Sequence, residues 1–181
     1  MQVKYIAKVT DWDLVYDAAR ATEGKLRAEK MPSDEWKRKA MQAPHSPIRC
    51  LQFFIQMEMP YYVQTHLVRH HEGIQFFVGS QRNDRQDKYD RRAARQDTPV
   101  LVSFLVNADA LRFISRRRLC YKADPETRRA WTKVVEAVRE LDPIVAEFCQ
   151  QECFWNNGVC DEFKPCGKCP KREISTAPEQ K

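Results

Sequence analysis

Alternation of apolar and polar side chains predicts the strands of this chain. The clearest example is residues 51–57, in which every second residue is apolar. Residues 2–8 and 100–106 predict two further strands, and the apolar run 74–79 predicts a loop or short strand. The predicted strands are short and separated by segments with other patterns.

Helical spacing of apolar residues and capping residues predict the helices. Residues 11–21 predict one helix, and Ser33 is placed to cap a second that ends near Gln42. Pro60 suits the first turn of a third, and Gly73 is a candidate stop, so residues 69–71 are expected at the end of that helix.

Two more helices are predicted in the second half of the chain. Asn107 is a candidate N-cap for a helix that ends in three arginines, residues 116–118. Asp124 starts the other, in which apolar residues recur at helical spacing as far as Leu141. We expect this last helix to be mainly structural.

Length and composition favour one domain with a short appendage. A chain of 181 residues buries one sizeable core. The division expected is a main domain over residues 1–148 and a Cys-rich tail over 149–181, whose end from Glu173 has the composition of a disordered segment. No apolar run long enough to span a bilayer and no signal peptide is evident, so a cytoplasmic protein with reduced thiols is expected.

Charge and motif point to an anionic ligand. The net charge is +6, and Arg69-His70-His71 is followed by Ser80-Gln81-Arg82. Arginine presents a planar fork of donors that matches phosphate or carboxylate oxygens. The chain has no Gly-rich phosphate loop and no nucleophile elbow, so side chains must hold the anion, and Ser80 is expected to donate a hydrogen bond.

Four separated segments resemble the flavin-dependent thymidylate synthases (ThyX). The stretch from His45-Ser46-Pro47 to Arg69-His70-His71 is similar to the family's turn, strand, helix and Arg-His-Arg motif, and Ser80-Gln81-Arg82 resembles its Ser-Gly/Gln-Arg motif. Farther along, Arg95 with Pro99 resembles the segment that supplies a substrate arginine. Val106-Asn107-Ala108 resembles the flavin turn, and Arg118 falls where the family has its uracil-binding arginine.

The resemblance implies an α+β fold, with a small antiparallel or mixed sheet and flanking helices, assembled as a homotetramer. It implies FAD as cofactor, dUMP as substrate, and NADPH and methylenetetrahydrofolate as co-substrates, with conversion of dUMP to dTMP. Arg118 would stabilise charge on the pyrimidine, and Ser80 would assist it. Residues implied at the flavin are Ser46, Arg69, His70, His71, Val106, Asn107 and Ala108; those implied at dUMP are His66, Arg69, Ser80, Gln81, Arg82, Arg95 and Arg118.

Three departures from the family pattern keep alternatives open. His71 replaces the last arginine of the triad, His66 stands where the family has Gln, and the stretch between Arg82 and Arg92 is short. The alternatives are a related dUMP-modifying enzyme, for example one that hydroxymethylates, and a non-catalytic nucleotide-binding or nucleic-acid-binding protein. Nucleic-acid binding is the less favoured of these, although the basic run up to Arg95 would serve it.

The tail carries five of the seven cysteines. Thiolates at such spacings bind zinc readily, and four of the five would suffice. Unliganded thiols, disulfides and iron–sulfur chemistry are the alternatives, since the spacings follow no common zinc pattern. The candidate ligands are Cys149, Cys153, Cys160, Cys166 and Cys169.

Overall fold

The computed structural model describes residues 1–80, 82, 84, 90 and 92–169. Its strands are β1 (Gln2–Lys8), β2 (Gln52–Pro60), β3 (Ile74–Val78) and β4 (Pro99–Asn107), and a 3₁₀ helix covers Ser46–Cys50. Its helices are α1 (Trp12–Thr22), α2 (Asp34–Gln42), α3 (Tyr61–Leu67), α4 (Ala108–Arg118), α5 (Pro125–Leu141), α6 (Pro143–Glu147) and α7 (Glu152–Trp155). No described helix has the length and apolar character needed to cross a membrane.

The four strands form one antiparallel sheet in the order β1-β2-β4-β3. Alternate residues of β2 and β4, such as Phe53 and Phe104, are fully buried, while the residues between them are partly exposed. This is the alternation expected of a sheet with one face on the core. The α+β class with a small antiparallel sheet is therefore confirmed, and residues 74–79 belong mainly to a strand.

Helix α5 covers the buried face of the sheet. The Trp131 ring stacks on Phe104 with centroids 6.3 Å apart, and the Trp131 indole N–H donates to Ser115 Oγ at 2.9 Å. Ser115 in turn donates to the Leu111 carbonyl one turn back in α4, at 2.6 Å. These contacts fix the end of α4 relative to α5 and the sheet.

The predicted caps are confirmed. Ser33, Asn107 and Asp124 each accept a backbone N–H in the first turn of α2, α4 and α5. The third helix is shorter than predicted. Helix α3 ends at Leu67, and Pro60 is its N-cap and does not lie in its first turn. Gly73 does not end the helix as predicted, because its carbonyl accepts the Asn107 N–H and so belongs to the sheet edge.

Residues 69–71 therefore follow α3 in a turn, closed by a hydrogen bond from the His70 N–H to the Leu67 carbonyl at 3.0 Å.

Beyond α6, Trp155 of α7 lies under two arginines of α4, with the Arg112 and Arg116 guanidinium carbons 5.2 and 4.8 Å from its ring centroid. The described part of the Cys-rich tail therefore packs on α4. The predicted division of the chain into two units at residue 149 stays a prediction.

Asp142 is a buried carboxylate that joins the first helix to the last third of the chain. It accepts the Trp12 indole N–H at 2.7 Å and caps α6 through the Val145 N–H at 3.1 Å. We expect Asp142→Ala to lower the free energy of unfolding by about 2 to 4 kcal/mol, since a buried donor and a helix cap both lose their acceptor. Urea unfolding followed by circular dichroism measures this.

The matched control is Glu35→Ala, which removes an exposed carboxylate paired with Lys39 one turn away. Exposed pairs contribute little to stability. An unfolding midpoint that moves as far in Glu35→Ala as in Asp142→Ala would contradict the role given to the buried carboxylate.

Candidate functional site

The ends of α3 and α4 meet through the Arg118 side chain. Arg118 Nη2 donates to the His66 carbonyl at 2.7 Å, and Arg118 Nε donates to His70 Nε2 at 2.9 Å. The last carbonyls of a helix lack partners within it, so the arginine satisfies one of them. The structure thus brings together His66, His70 and Arg118, three residues that were predicted to share a site.

The Arg118 contact fixes the protonation of His70. Burial, together with the nearby Arg118 guanidinium and His71, lowers the pKa of His70 to about 4. The ring is therefore neutral at pH 7, and because Nε2 accepts from Arg118, Nδ1 must carry the proton. His70 Nδ1 is a hydrogen-bond donor with no protein partner among the described residues.

Arg118 has N–H donors that no described residue uses. A guanidinium has five N–H groups, and two of those of Arg118 are used by described residues. Burial and the neighbouring Arg69 lower the pKa of Arg118, although a guanidinium remains charged at neutral pH. The free N–H groups of Arg118 and the Nδ1–H of His70 are all donors, so the ligand they suit offers carbonyl or anionic oxygens.

His66 is held by two residues that the sequence did not single out for the site. The Thr127 hydroxyl donates to Asp124 Oδ1 at 3.0 Å, so it must accept from His66 Nδ1, 2.8 Å away. Hydrogen bonds from Thr127 and the nearby His66 hold the pKa of Asp124 below its ordinary value, against the effect of burial.

Arg69 and His71 are exposed beside this group. The Arg69 side chain makes no hydrogen bond or ion pair with the described residues, and the Arg69 backbone carbonyl accepts from His71 Nδ1 at 3.2 Å. An exposed arginine without an acidic partner, next to the half-buried Arg118, is suited to an anionic group. We call His66, Arg69, His70, His71 and Arg118 the arginine–histidine group.

The remaining described residues that were predicted to bind the nucleotide are Ser80, Arg82 and Arg95, and their side chains have other partners. Ser80 Oγ accepts the Arg82 N–H at 3.2 Å, and Arg82 and Arg95 each make a two-pronged ion pair with a nearby aspartate, Asp84 and Asp97. Gln81 lies outside the described residues. Neither arginine contacts the arginine–histidine group through a described hydrogen bond.

The predicted flavin turn lies at the opposite end of β4 from Ser80. Asn107 pairs with Gly73, whereas Gly79, next to Ser80, pairs with Leu101. Asn107 lies six positions beyond Leu101 along the strand, which is a distance of roughly 20 Å. A single chain thus brings together part of the predicted site, and no small group can touch Ser80 and Asn107 at once.

Asn107 has a defined amide orientation. Its Oδ1 accepts the Ala110 N–H at 2.8 Å, so its Nδ2 is the free donor. Gly73, with φ +70°, packs directly on this amide; a Cβ there would lie 2.6 Å from Nδ2. The same residues line a cavity of about 550 Å³ that also includes Arg49 and Arg112.

The side chains of Val106 and Ala108 are fully buried in the core. Any contact of these two residues with a flavin would therefore come from the backbone. Ser46 is exposed on the 3₁₀ helix. Its neighbours His45 and Pro47 line an apolar cavity of about 280 Å³ together with Trp36, a residue that the sequence did not mark as functional.

The five tail cysteines do not share one environment. Cys149 is buried and donates to the Val145 carbonyl at 3.5 Å, and burial raises its pKa to about 12. Because its thiol is buried and protonated, Cys149 is a poor candidate ligand. The described residues contain no group of three His, Cys, Asp or Glu side chains that could hold a metal ion.

Solved structures of two enzymes share this fold. Flavin-dependent thymidylate synthase ThyX from Helicobacter pylori, complexed with FAD and dUMP, matches with a TM-score of 0.67 at 14% identity over 83% of this chain and 100% of that chain. A second ThyX structure from the same organism, also with FAD and dUMP, matches with a TM-score of 0.62 at 11% identity over 82% and 97%.

The other enzyme is the UMP/dUMP methylase PolB from Streptomyces cacaoi bound with 5-Br dUMP. It matches with a TM-score of 0.59 at 18% identity over 80% of this chain and 93% of that chain. No protein-family model and no curated protein matches the sequence. The resemblance is therefore confirmed at the level of the fold.

The neutral His70 makes stability depend on pH. The pKa of His70 is about 4 in the folded chain, below the ordinary 6.5, so between these pH values the unfolded chain binds a proton that the folded chain does not. The contribution of the neutral His70 to the free energy of unfolding is therefore complete above pH 6.5 and is lost as the pH falls toward 4. We expect His70→Gln, whose amide oxygen still accepts from Arg118 but does not titrate, to lose less stability over that interval.

Urea unfolding of both proteins across this pH range measures the difference, and all other titrating groups are common to the two. Equal pH dependence in wild type and His70→Gln would show that His70 is not held neutral by burial and Arg118.

Proposed function

We propose that this chain, which has the ThyX fold, is a dUMP-modifying enzyme that uses FAD. The observation that carries the proposal is that His66 and His70 hold the Arg118 guanidinium in place through two hydrogen bonds, while its other N–H groups have no partner among the described residues. A pyrimidine base presents carbonyl oxygens and gains negative charge when its C5 reacts. Fixed donors aimed at developing charge are the main means by which enzymes stabilise it.

The described residues fit a flavin nucleotide. Asn107 Nδ2 lies beside a cavity, and Gly73 leaves no room for a side chain against it. Neither Asn107 Nδ2 nor the Arg69 guanidinium has a partner among the described residues, and the Arg69 cation is suited to a pyrophosphate. We propose that Ser46, Arg69, His70, His71, Asn107 and the backbone of Val106 and Ala108 hold FAD. When bound, reduced FAD would supply the hydride that completes the new methyl group.

We further propose dUMP as the substrate, bound by His66, Arg69, Ser80, Gln81, Arg82, Arg95 and Arg118, with NADPH and methylenetetrahydrofolate as co-substrates and dTMP as product. Arg118 and Ser80 are proposed to act on the pyrimidine. His70 would donate from Nδ1, because its low pKa keeps the ring neutral at neutral pH and the Arg118 bond to Nε2 places the single proton on Nδ1. Arg82 and Arg95 would exchange their exposed aspartate partners for phosphate oxygens.

The separation of Ser80 from Asn107 supports a homotetramer, because residues of different subunits can then complete one site. The outer face of the sheet exposes apolar side chains, including Tyr5, Phe77 and Leu101, on which another subunit could pack. We propose that this assembly is cytoplasmic.

Likeness of the fold to the UMP/dUMP methylase supports a second candidate, a related uracil-modifying reaction at the same site. The exposed His71 in place of an arginine is consistent with it. Both candidates predict flavin and dUMP binding and differ in the product, which mass spectrometry of the nucleotide identifies. A non-catalytic nucleotide-binding protein would bind dUMP without turning it over.

The test is oxidation of reduced flavin by the purified protein with FAD, methylenetetrahydrofolate and dUMP. We expect the protein to take up FAD, with a flavin absorbance spectrum near stoichiometry, and dUMP to accelerate flavin oxidation. Arg118→Ala should slow the dUMP-dependent rate by about 100-fold or more, because the donors for the developing charge are removed.

Arg139→Ala is the control, since this arginine is exposed on α5, away from the arginine–histidine group. Circular dichroism checks that both variants are folded. Protein that stays colourless with added FAD and whose melting temperature does not respond to dUMP would overturn the proposed function. Arg118→Ala activity equal to that of Arg139→Ala would overturn the role of Arg118.

A further inference from the structure

A cavity of about 550 Å³ lies where the 3₁₀ helix, the turn at Gly73 and the start of α4 meet. Asn107, already proposed for the flavin, lines it together with two arginines that the sequence did not mark, Arg49 and Arg112. Arg49 is exposed, whereas Arg112 is buried, with only 9% of its surface exposed. The cavity therefore carries two guanidinium groups that do not belong to the arginine–histidine group.

The buried guanidinium of Arg112 is short of acceptors. Arg112 Nη2 donates to Asp109 Oδ1 at 3.3 Å, and Arg112 Nε is buried without a hydrogen-bond partner among the described residues. A guanidinium has five N–H groups, and nearly all buried polar groups of native proteins have a partner. An acceptor supplied by a ligand in the cavity would complete this group.

Trp155 of α7 restricts the position of the Arg112 side chain. The Arg112 guanidinium carbon lies 5.2 Å from the centre of the Trp155 ring, and the Arg116 guanidinium carbon lies 4.8 Å from the same centre. Arg116 also pairs with Glu152 of α7 at 3.4 Å. Because a ring face attracts a guanidinium, α7 holds Arg112 in place beside the cavity.

Asp109 is the acidic partner of both arginines. Its Oδ1 accepts from Arg112 at 3.3 Å, and its Oδ2 accepts from Arg49 Nε at 3.2 Å. Each arginine thus makes one contact with a shared carboxylate, and the contact of the exposed Arg49 contributes little to stability. A phosphate group offers more oxygens and more charge than one carboxylate, so it can accept from both arginines at once.

We propose that Arg49 and Arg112 bind a phosphate group of a nucleotide, with Asn107 Nδ2 as a further donor. Arg112 would donate from N–H groups that no described residue accepts, and Arg49 would exchange Asp109 for a phosphate oxygen. Trp155 is a positioning residue for Arg112. The proposal rests on the proposed function for the two sources of phosphate, FAD and dUMP, and the experiment distinguishes them.

The experiment measures binding to the full chain by isothermal titration calorimetry, with inorganic pyrophosphate as the direct probe. FAD is compared with riboflavin, which lacks its phosphates, and dUMP is compared with deoxyuridine. Arg112→Gln should weaken the binding of pyrophosphate and of one nucleotide by about 10-fold or more, because a charged hydrogen bond to phosphate is lost. Riboflavin and deoxyuridine should be unaffected, and the nucleotide that binds more weakly identifies the source of the phosphate.

Three other positions keep the test decisive if Arg112→Gln fails to fold. Arg49→Gln changes an exposed side chain and should weaken pyrophosphate binding by about 3-fold or more. Glu72→Gln removes an exposed negative charge that lines the cavity, so it should strengthen binding by about twofold. Trp155→Ala should weaken binding, and Trp155→Phe, which keeps a ring face for Arg112, should restore it.

Arg139→Gln is the control, since this arginine is exposed on α5 and does not line the cavity. Circular dichroism checks that each variant is folded. Equal pyrophosphate affinity in the folded Arg112→Gln, Arg49→Gln and Arg139→Gln proteins would overturn the proposal, as would a loss for riboflavin as large as that for FAD.

Failure of this proposal and failure of the proposed function give different results. Pyrophosphate binding that depends on Arg112, in a protein that binds neither FAD nor dUMP, would support the phosphate site and overturn the proposed function. Binding of FAD and dUMP that is the same in wild type and folded Arg112→Gln would overturn the phosphate site and leave the proposed function standing.

Discussion

The candidate site depends on one guanidinium that closes the gap between two helix ends. Arg118 is the last residue of α4, and its position is fixed from behind by the Ser115 and Trp131 hydrogen bonds that join α4 to α5. Its own bonds to the His66 carbonyl and to His70 then hold the turn after α3. The packing of the core thereby fixes the position of Arg118 and His70 in the arginine–histidine group.

Neutral His70 is a consequence of that contact. A charged imidazole there would have no acceptor to offer Arg118 and would place two cations 2.9 Å apart. Burial and the guanidinium both favour the neutral ring, and the result is a set of hydrogen-bond donors with a single fixed protonation state. Such preorganisation suits the recognition of carbonyl and anionic oxygens, because no proton has to move when the ligand binds.

Sequence patterns predicted the elements better than they predicted the distances between them. The strand alternation and the caps at Ser33, Asn107 and Asp124 are local signals, and all were confirmed. The end of α3 was misplaced because Gly73 belongs to the sheet edge, a long-range pairing with Asn107 that no local pattern reveals. For the same reason the sequence did not mark Thr127 as the partner of His66, and it did not distinguish the buried Cys149 and Cys153 from the other, partly exposed tail cysteines.

The most direct test of the central claim is a crystal structure of the protein with FAD and dUMP. We expect Arg118 to keep its bonds to the His66 carbonyl and to His70 and to donate through its remaining N–H groups to an oxygen of the pyrimidine. Nucleotide bound elsewhere, or bound with Arg118 turned away from the base and paired only with protein, would contradict it.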